Sequence, residues 1–130
     1  MTGQALQFAG SLAAILALAW LVRRLGMGHA QPLDSEDKAR RAASEVEDGF
    51  EPVACTLDDE GRAALLRDAA GRIMVLRAHG AHFAGRILQH GADARIMGSV
   101  LIVDPAERQF GPVSLHIEDP EVWGKAIRAL

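Results

Sequence analysis

The sequence predicts a single N-terminal transmembrane helix followed by a small mainly-β (α+β) domain. That domain reads as an antiparallel meander of six to seven strands, curled into a small barrel and closed by a C-terminal helix. Three observations carry this reading. Residues 5–22 form an apolar run without a charged side chain, and the run stops at Arg23 and Arg24. After Phe50, turn-forming residues recur at intervals of roughly ten, the spacing of short strands in a meander. The final stretch opens with Asp-Pro-Glu and then places apolar residues at helical spacing. The organisation is therefore an anchor over 1–24, a linker and connecting helix over 25–49, and the β-barrel-like domain over 50–130.

Composition narrows the function. The chain has 130 residues, 14 of them basic and 17 acidic, for a formal net charge of −3. A near-balanced, slightly acidic domain lacks the basic face that phosphate backbones demand, so no nucleic-acid partner is expected. The single cysteine, Cys55, leaves no internal disulfide and fits a reducing compartment. The 13 glycines point to many tight turns, and no polar low-complexity tract marks disorder.

The anchor comes first. Residues 5–22, ALQFAGSLAAILALAWLV, reach roughly 27 Å at ~1.5 Å per residue, close to the ~30 Å of a bilayer's hydrocarbon layer. Gln7 and Ser11 are the polar exceptions, both toward the N-terminal side, and Trp20 sits where an amphipathic ring suits the headgroups. Arg23, Arg24, Lys38, Arg40 and Arg41 all follow the run, and no basic side chain precedes it. The positive-inside rule then gives an outside N-terminus and a cytoplasmic C-terminal domain on a bacterial inner membrane. A secretory signal, cleaved near Gly28-His29-Ala30, is the competing reading; its positive charges would precede the apolar run, whereas here they follow it.

The next stretch, LGMGHAQPLD at 25–34, is linker in composition. SEDKARRAASEVEDG then has helix punctuation, with Asp34 or Ser35 as cap and Gly49 as terminator. Glu36 with Arg40 and Asp37 with Arg41 are favourable i,i+4 pairs, each contributing ~0.3 kcal/mol. Ala39, Ala42, Ala43 and Val46 form a narrow stripe of little area, so this helix is expected to be a solvated connector.

Two stretches repeat the pattern Asp-x-x-Gly-Arg, at Asp58 to Arg62 and at Asp68 to Arg72. Aspartate accepts local backbone N–H groups at a turn, and glycine three residues on takes the positive φ of a bulged hairpin. Further breaks fall at His79-Gly80-Ala81, His90-Gly91-Ala92-Asp93 and Asp104-Pro105-Ala106-Glu107. They delimit expected strands at 52–57, 62–67, 72–78, 82–88, 94–103 with a break at Gly98, and 110–118. Val53, Cys55 and Leu57 are expected on one face; so are Val113, Leu115 and Ile117, with Ser114, His116 and Glu118 opposite. In the closing helix Asp119 is the cap, Pro120 the first residue and Glu121 the dipole partner. Val122, Trp123, Ala126, Ile127 and Leu130 share its packed face, Trp123 alone with ~150–250 Å² to bury.

Antiparallel strands followed by one amphipathic helix with a central tryptophan resemble the pleckstrin-homology-like split barrel. The run GFEPVACTLDDEGRAALLRDAAGRIMVLRAHGAHFAGRIL, with the anchor before it, is similar to small membrane-anchored alphaproteobacterial proteins of unknown function. The shared motifs are turns, so the resemblance implies architecture and membrane attachment and brings no catalytic or binding residue.

Residues able to carry chemistry are few. His79 and His82 form HxxH, with His90, His116 and Cys55 as further imidazole and thiol donors, but the spacing is not that of a zinc site. Cys55 reads as a small buried hydrophobe. Ser44, Ser99 and Ser114 have no elbow motif, and Asp58, Asp59 and Glu60 read as ordinary acids on an exposed turn. No catalytic, cofactor-binding or metal-ligating residue is assigned, and no enzyme or cofactor is expected. Arg62, Arg67, Arg72, Arg77, Arg86 and Arg95 come from adjacent strands. They form either a guanidinium ladder for anionic groups or a solvated face paired with acids such as Asp68, Asp93 and Glu107; the chain's 17 acidic residues against 14 basic ones favour the second.

The expected function is that of a non-catalytic membrane-anchored interaction module, an accessory or assembly subunit of a larger inner-membrane complex. Its partners are the lipid bilayer and a membrane protein, the latter met through Gly10, Ser11, Ala13, Ala14 and Ala17 of the span. The alternative is an anionic-lipid or small-ligand sensor using the arginine-bearing sheet face. The pattern specifies no oligomeric state.

Overall fold

The structure, a computed structural model, describes residues 2–25 and 32–130. Its elements in chain order are α1 (Thr2–Leu25), α2 (Glu36–Val46), β1 (Pro52–Leu57), β2 (Ala63–Asp68), β3 (Ile73–His79), β4 (His82–Ile87), β5 (Asp93–Met97), β6 (Val100–Asp104), β7 (Val113–His116) and α3 (Pro120–Arg128). The proposed cleavage site at 28–30 lies outside the described residues. Within α1 the 22 residues Gly3–Arg24 are long and apolar enough to cross a membrane, and none of that window is buried. Arg24 folds back over the Trp20 ring, 5.1 Å from its centroid.

The seven strands make two antiparallel sheets, β1-β2-β3-β4 and β5-β6-β7, each a simple meander. They do not close into the expected barrel. The β4 pairing ends with Leu88 N–H donating to Ile73 O at 2.8 Å, and the chain then turns through Gly91, at φ +104°, to start a separate sheet. The sheets instead face each other. Leu65, Ile73 and Val75 from the first meet Leu101, Val103, Val113 and Leu115 from the second, and Ile127 of α3 completes this core.

The opposite face of the first sheet is covered as well. Ala64, Leu66, Met74 and Leu76 pack under α2 with Leu33, Ala39, Ala43 and Phe50. This corrects the expectation of a solvated connector: Ala39 and Ala43 are both 0 % exposed. Small side chains contribute little area, but they let the helix backbone approach closely. Gly85 on β4 completes that fit, since a Cβ there would stand 2.7 Å from Leu76 Cδ2 and 3.0 Å from Val46 Cγ2. Ser35 caps α2, its Oγ accepting the Lys38 N–H at 3.3 Å, and the helix ends at Val46, ahead of the expected Gly49.

Both Asp-x-x-Gly turns form as expected. Gly61 N–H donates to Asp58 O at 2.9 Å and Gly71 N–H to Asp68 O at 3.1 Å, with both glycines at positive φ. The strand expected at 94–103 is a hairpin that turns at Gly98, and the one expected from 110 begins at Val113. Alternation holds in β7, where Val113, Leu115 and Ile117 are buried and Ser114, His116 and Glu118 exposed. It fails at Val53, which a register shift between Pro52 and Ala54 turns outward to 65 % exposure. In α3, Ile127 is buried and Trp123, Ala126 and Leu130 are partly so, while Val122 is 66 % exposed. Pro120 opens that helix as expected, but the Asp119 side chain makes no capping hydrogen bond.

Candidate functional site

The arginines do not form a ladder. Strand register puts Arg67 beside Ile73 and Arg77 beside Ala84, while Arg95 lies opposite Ile102 in the other sheet. Several meet carboxylates instead: Arg62 Nε lies 3.5 Å from Glu60, Arg72 Nε 2.6 Å from Asp68 and Arg86 Nε 2.9 Å from Glu107. The last two acids are among those expected to pair. Asp93, the third, forms no ion pair among the described residues.

Two of these arginines converge on one buried ring. Phe110 lies in the β6–β7 loop and is 4 % exposed. The Arg77 and Arg86 guanidinium carbons stand 5.0 and 5.2 Å from its centroid, within cation–π range. Arg86 is held a third way, by Nη1 donating to the Gly85 carbonyl at 2.8 Å. Arg77 and Arg86 were singled out in the sequence; Phe110 was not, because nothing local marks a loop phenylalanine as their meeting point.

Arg86 and Glu107 border a groove of about 790 Å³ along the β4 edge. Val46 at the end of α2, the following Glu47, Pro105, Ala106, Arg72 and His90 line it. Ala106 adopts φ +63°, a conformation that costs a non-glycine residue roughly 1–2 kcal/mol. Asp104 Oδ1 offsets part of this by accepting the Ala106 N–H at 2.9 Å. His90 is fixed through Nδ1, which donates to the Leu130 carbonyl at 2.9 Å.

Arg72 links this groove to the β2–β3 turn. Asp68, only 6 % exposed, accepts the Arg72 backbone N–H on Oδ1 at 2.8 Å and its Nε on Oδ2. Burial pushes the Asp68 carboxyl up, but the hydrogen bonds and charge of Arg72 outweigh it and hold the group below the usual carboxylate range. The same guanidinium lies 5.4 Å from the Phe50 ring centroid.

The remaining candidates are scattered. His79 and His82 oppose each other across the β3–β4 hairpin, both exposed. Among the described residues no three His, Cys, Asp or Glu side chains converge as a metal site would require. Cys55 is half-buried on the α2 side, where desolvation, with Glu36 adding to it, pushes its thiol up to about 11. Asp58 is not the exposed acid expected: it is 7 % exposed, and its Oδ1 accepts the His116 N–H at 2.7 Å, tying the β1–β2 turn to β7. Compared with known families, curated proteins and solved structures, the chain matches no family model, no curated protein and no solved structure.

Proposed function

We propose that this chain is a membrane-anchored, non-catalytic interaction module, an accessory or assembly subunit of a larger inner-membrane complex. One observation carries the reading. The apolar helix α1 is as long as a membrane span and none of its span residues is buried, while residues from Leu33 onward assemble two cores without any contribution from it. An uncovered 22-residue apolar helix needs a lipid or protein environment, and the arginines behind it orient the domain toward the cytoplasm. Tethering keeps the domain concentrated beside other membrane components, where weak contacts are occupied. Within this proposal the element order, seven antiparallel strands and then a helix bearing Trp123, supports descent from the pleckstrin-homology-like split barrel in an opened form. The pairing of Arg62, Arg72 and Arg86 with carboxylates weighs against the lipid-sensing alternative.

Alkaline carbonate extraction of membranes, with intact-mass measurement, tests the anchor. Full-length chain retained in the pellet is the expected result, and a shortened soluble species would overturn it. Mild-detergent isolation tests the subunit reading: a stoichiometric membrane-protein partner is expected, and a solitary protein sinks it.

A further inference from the structure

We propose that Arg24, stacked on Trp20 at the end of α1, binds the phosphodiester of an anionic glycerophospholipid. The inference deepens the interaction-module reading and rests on it for α1 lying in a bilayer.

Trp20 and Arg24 are four residues apart, so they share one face of α1 on successive turns. The Arg24 guanidinium carbon stands 5.1 Å from the Trp20 ring centroid, within cation–π range. A long cation at the end of a span ordinarily reaches away from the hydrocarbon into water. Arg24 instead draws back toward the apolar run, to the level of an indole that suits the headgroup layer. A charge at that depth is short of water and needs an anion beside it.

The helix supplies none of its own. No acidic side chain occurs before Asp34, and the last turn of α1 carries both Arg23 and Arg24, so the end of the apolar run is purely cationic. At the headgroup level the acceptors at hand are phosphodiester oxygens. Stacking occupies the face of a guanidinium and leaves its N–H donors free in the plane, in the fork that matches two oxygens of one phosphate. A zwitterionic headgroup would bring its own ammonium toward two guanidiniums, and an anionic one would not, so the site selects the anionic lipid. Among the described residues only Arg24 stacks on Trp20. Arg23 is therefore a built-in control of equal charge.

The test titrates the full chain, in neutral detergent micelles, with phosphatidylglycerol or phosphatidylcholine and counts bound lipid by native mass spectrometry. Phosphatidylglycerol is expected to bind more tightly, at one molecule per chain. Arg23→Gln should weaken it about five-fold, the effect of one diffuse charge at a membrane surface. Arg24→Gln should weaken it roughly ten-fold beyond that, as the loss of about one charge-assisted hydrogen bond. Trp20→Leu removes no charge and should still weaken it about three-fold through the lost stack. All three positions lie outside both hydrophobic cores, so the folded domain is not at risk. Equal losses for Arg23→Gln and Arg24→Gln, unchanged affinity in Trp20→Leu, equal binding of the two lipids, or release of the lipid by inorganic phosphate would overturn the proposal. A chain that carbonate extraction frees from membranes sinks the anchor reading; a chain that stays in the pellet without lipid preference sinks this proposal alone.

Discussion

The two sheets are both antiparallel meanders, yet the first is covered on both faces and the second on one. In β2 the run Ala63, Ala64, Leu65, Leu66 is buried without a break, odd positions toward the second sheet and even positions toward α2. In β7 burial alternates residue by residue. The contrast teaches that period-two patterning reports the number of covered faces, not the presence of a strand. Continuous apolar runs such as IMVL in β3 mark the middle layer of a three-layer sandwich.

Leucine truncation gives the widest separation between the sheets. Leu65→Ala and Leu66→Ala, neighbours with opposite directions, should each cost about 2–5 kcal/mol in urea unfolding of the full chain in detergent. In β6, Leu101→Ala should fall in the same range of about 2–5 kcal/mol, whereas the half-buried outer residue gives Ile102→Ala only about 1 kcal/mol. Equal losses at Leu101 and Ile102 would mean that the outer face of the second sheet is covered in solution. Gly85→Ala comes next, at about 1–3 kcal/mol, because the new methyl must displace Leu76 or Val46 beneath α2. A neutral result would detach α2 from the first sheet and remove the contrast.

How much of this was legible in the sequence depends on the reach of each interaction. The turns at Gly61, Gly71 and Gly98 were, since aspartate and glycine act within a few residues of themselves. So was the long apolar N-terminal helix. The docking of α2 was not: an alanine stripe carries almost no hydrophobic signal, and its fit depends on Gly85, which meets Val46 from far along the chain. The burial of Asp58 was hidden for the same reason, because its partner His116 is 58 residues distant. At the groove, Arg86 and Glu107 were each noticed, but Phe110 and the left-handed Ala106 have no local signature. Closure of the barrel was over-read from regular strand spacing, which is equally satisfied by two facing sheets.

Two pH effects sharpen the comparison at smaller amplitude, both on the first sheet. Asp68 has a depressed pKa, so its stabilising contribution is present above the unfolded value of ~3.9 and is lost as pH falls through the lower folded value. Asp68→Asn should flatten the acid limb of the stability profile, and an unchanged limb would show that Arg72 does not act through this carboxylate. The Cys55 thiol, raised to about 11, behaves in the opposite sense: its contribution is complete below the unfolded value and is lost as pH rises toward the folded one. Alkylation at pH 8 should therefore be slow in the folded chain, with roughly one molecule in a thousand as thiolate, and fast in urea. Equal rates would place the strand edge of β1 in open solvent.

The chain joins the domain at a stitched point. Leu33 N–H donates to Gly61 O at 2.8 Å, directly on the β1–β2 turn. Two residues of that turn in turn grip β7, through Asp58 Oδ1 on the His116 N–H and Asp59 N–H on the His116 carbonyl at 3.1 Å. Traction arriving from the direction of α1 is thus delivered first to a knot between the sheets. Load arriving there is passed to both sheets at once.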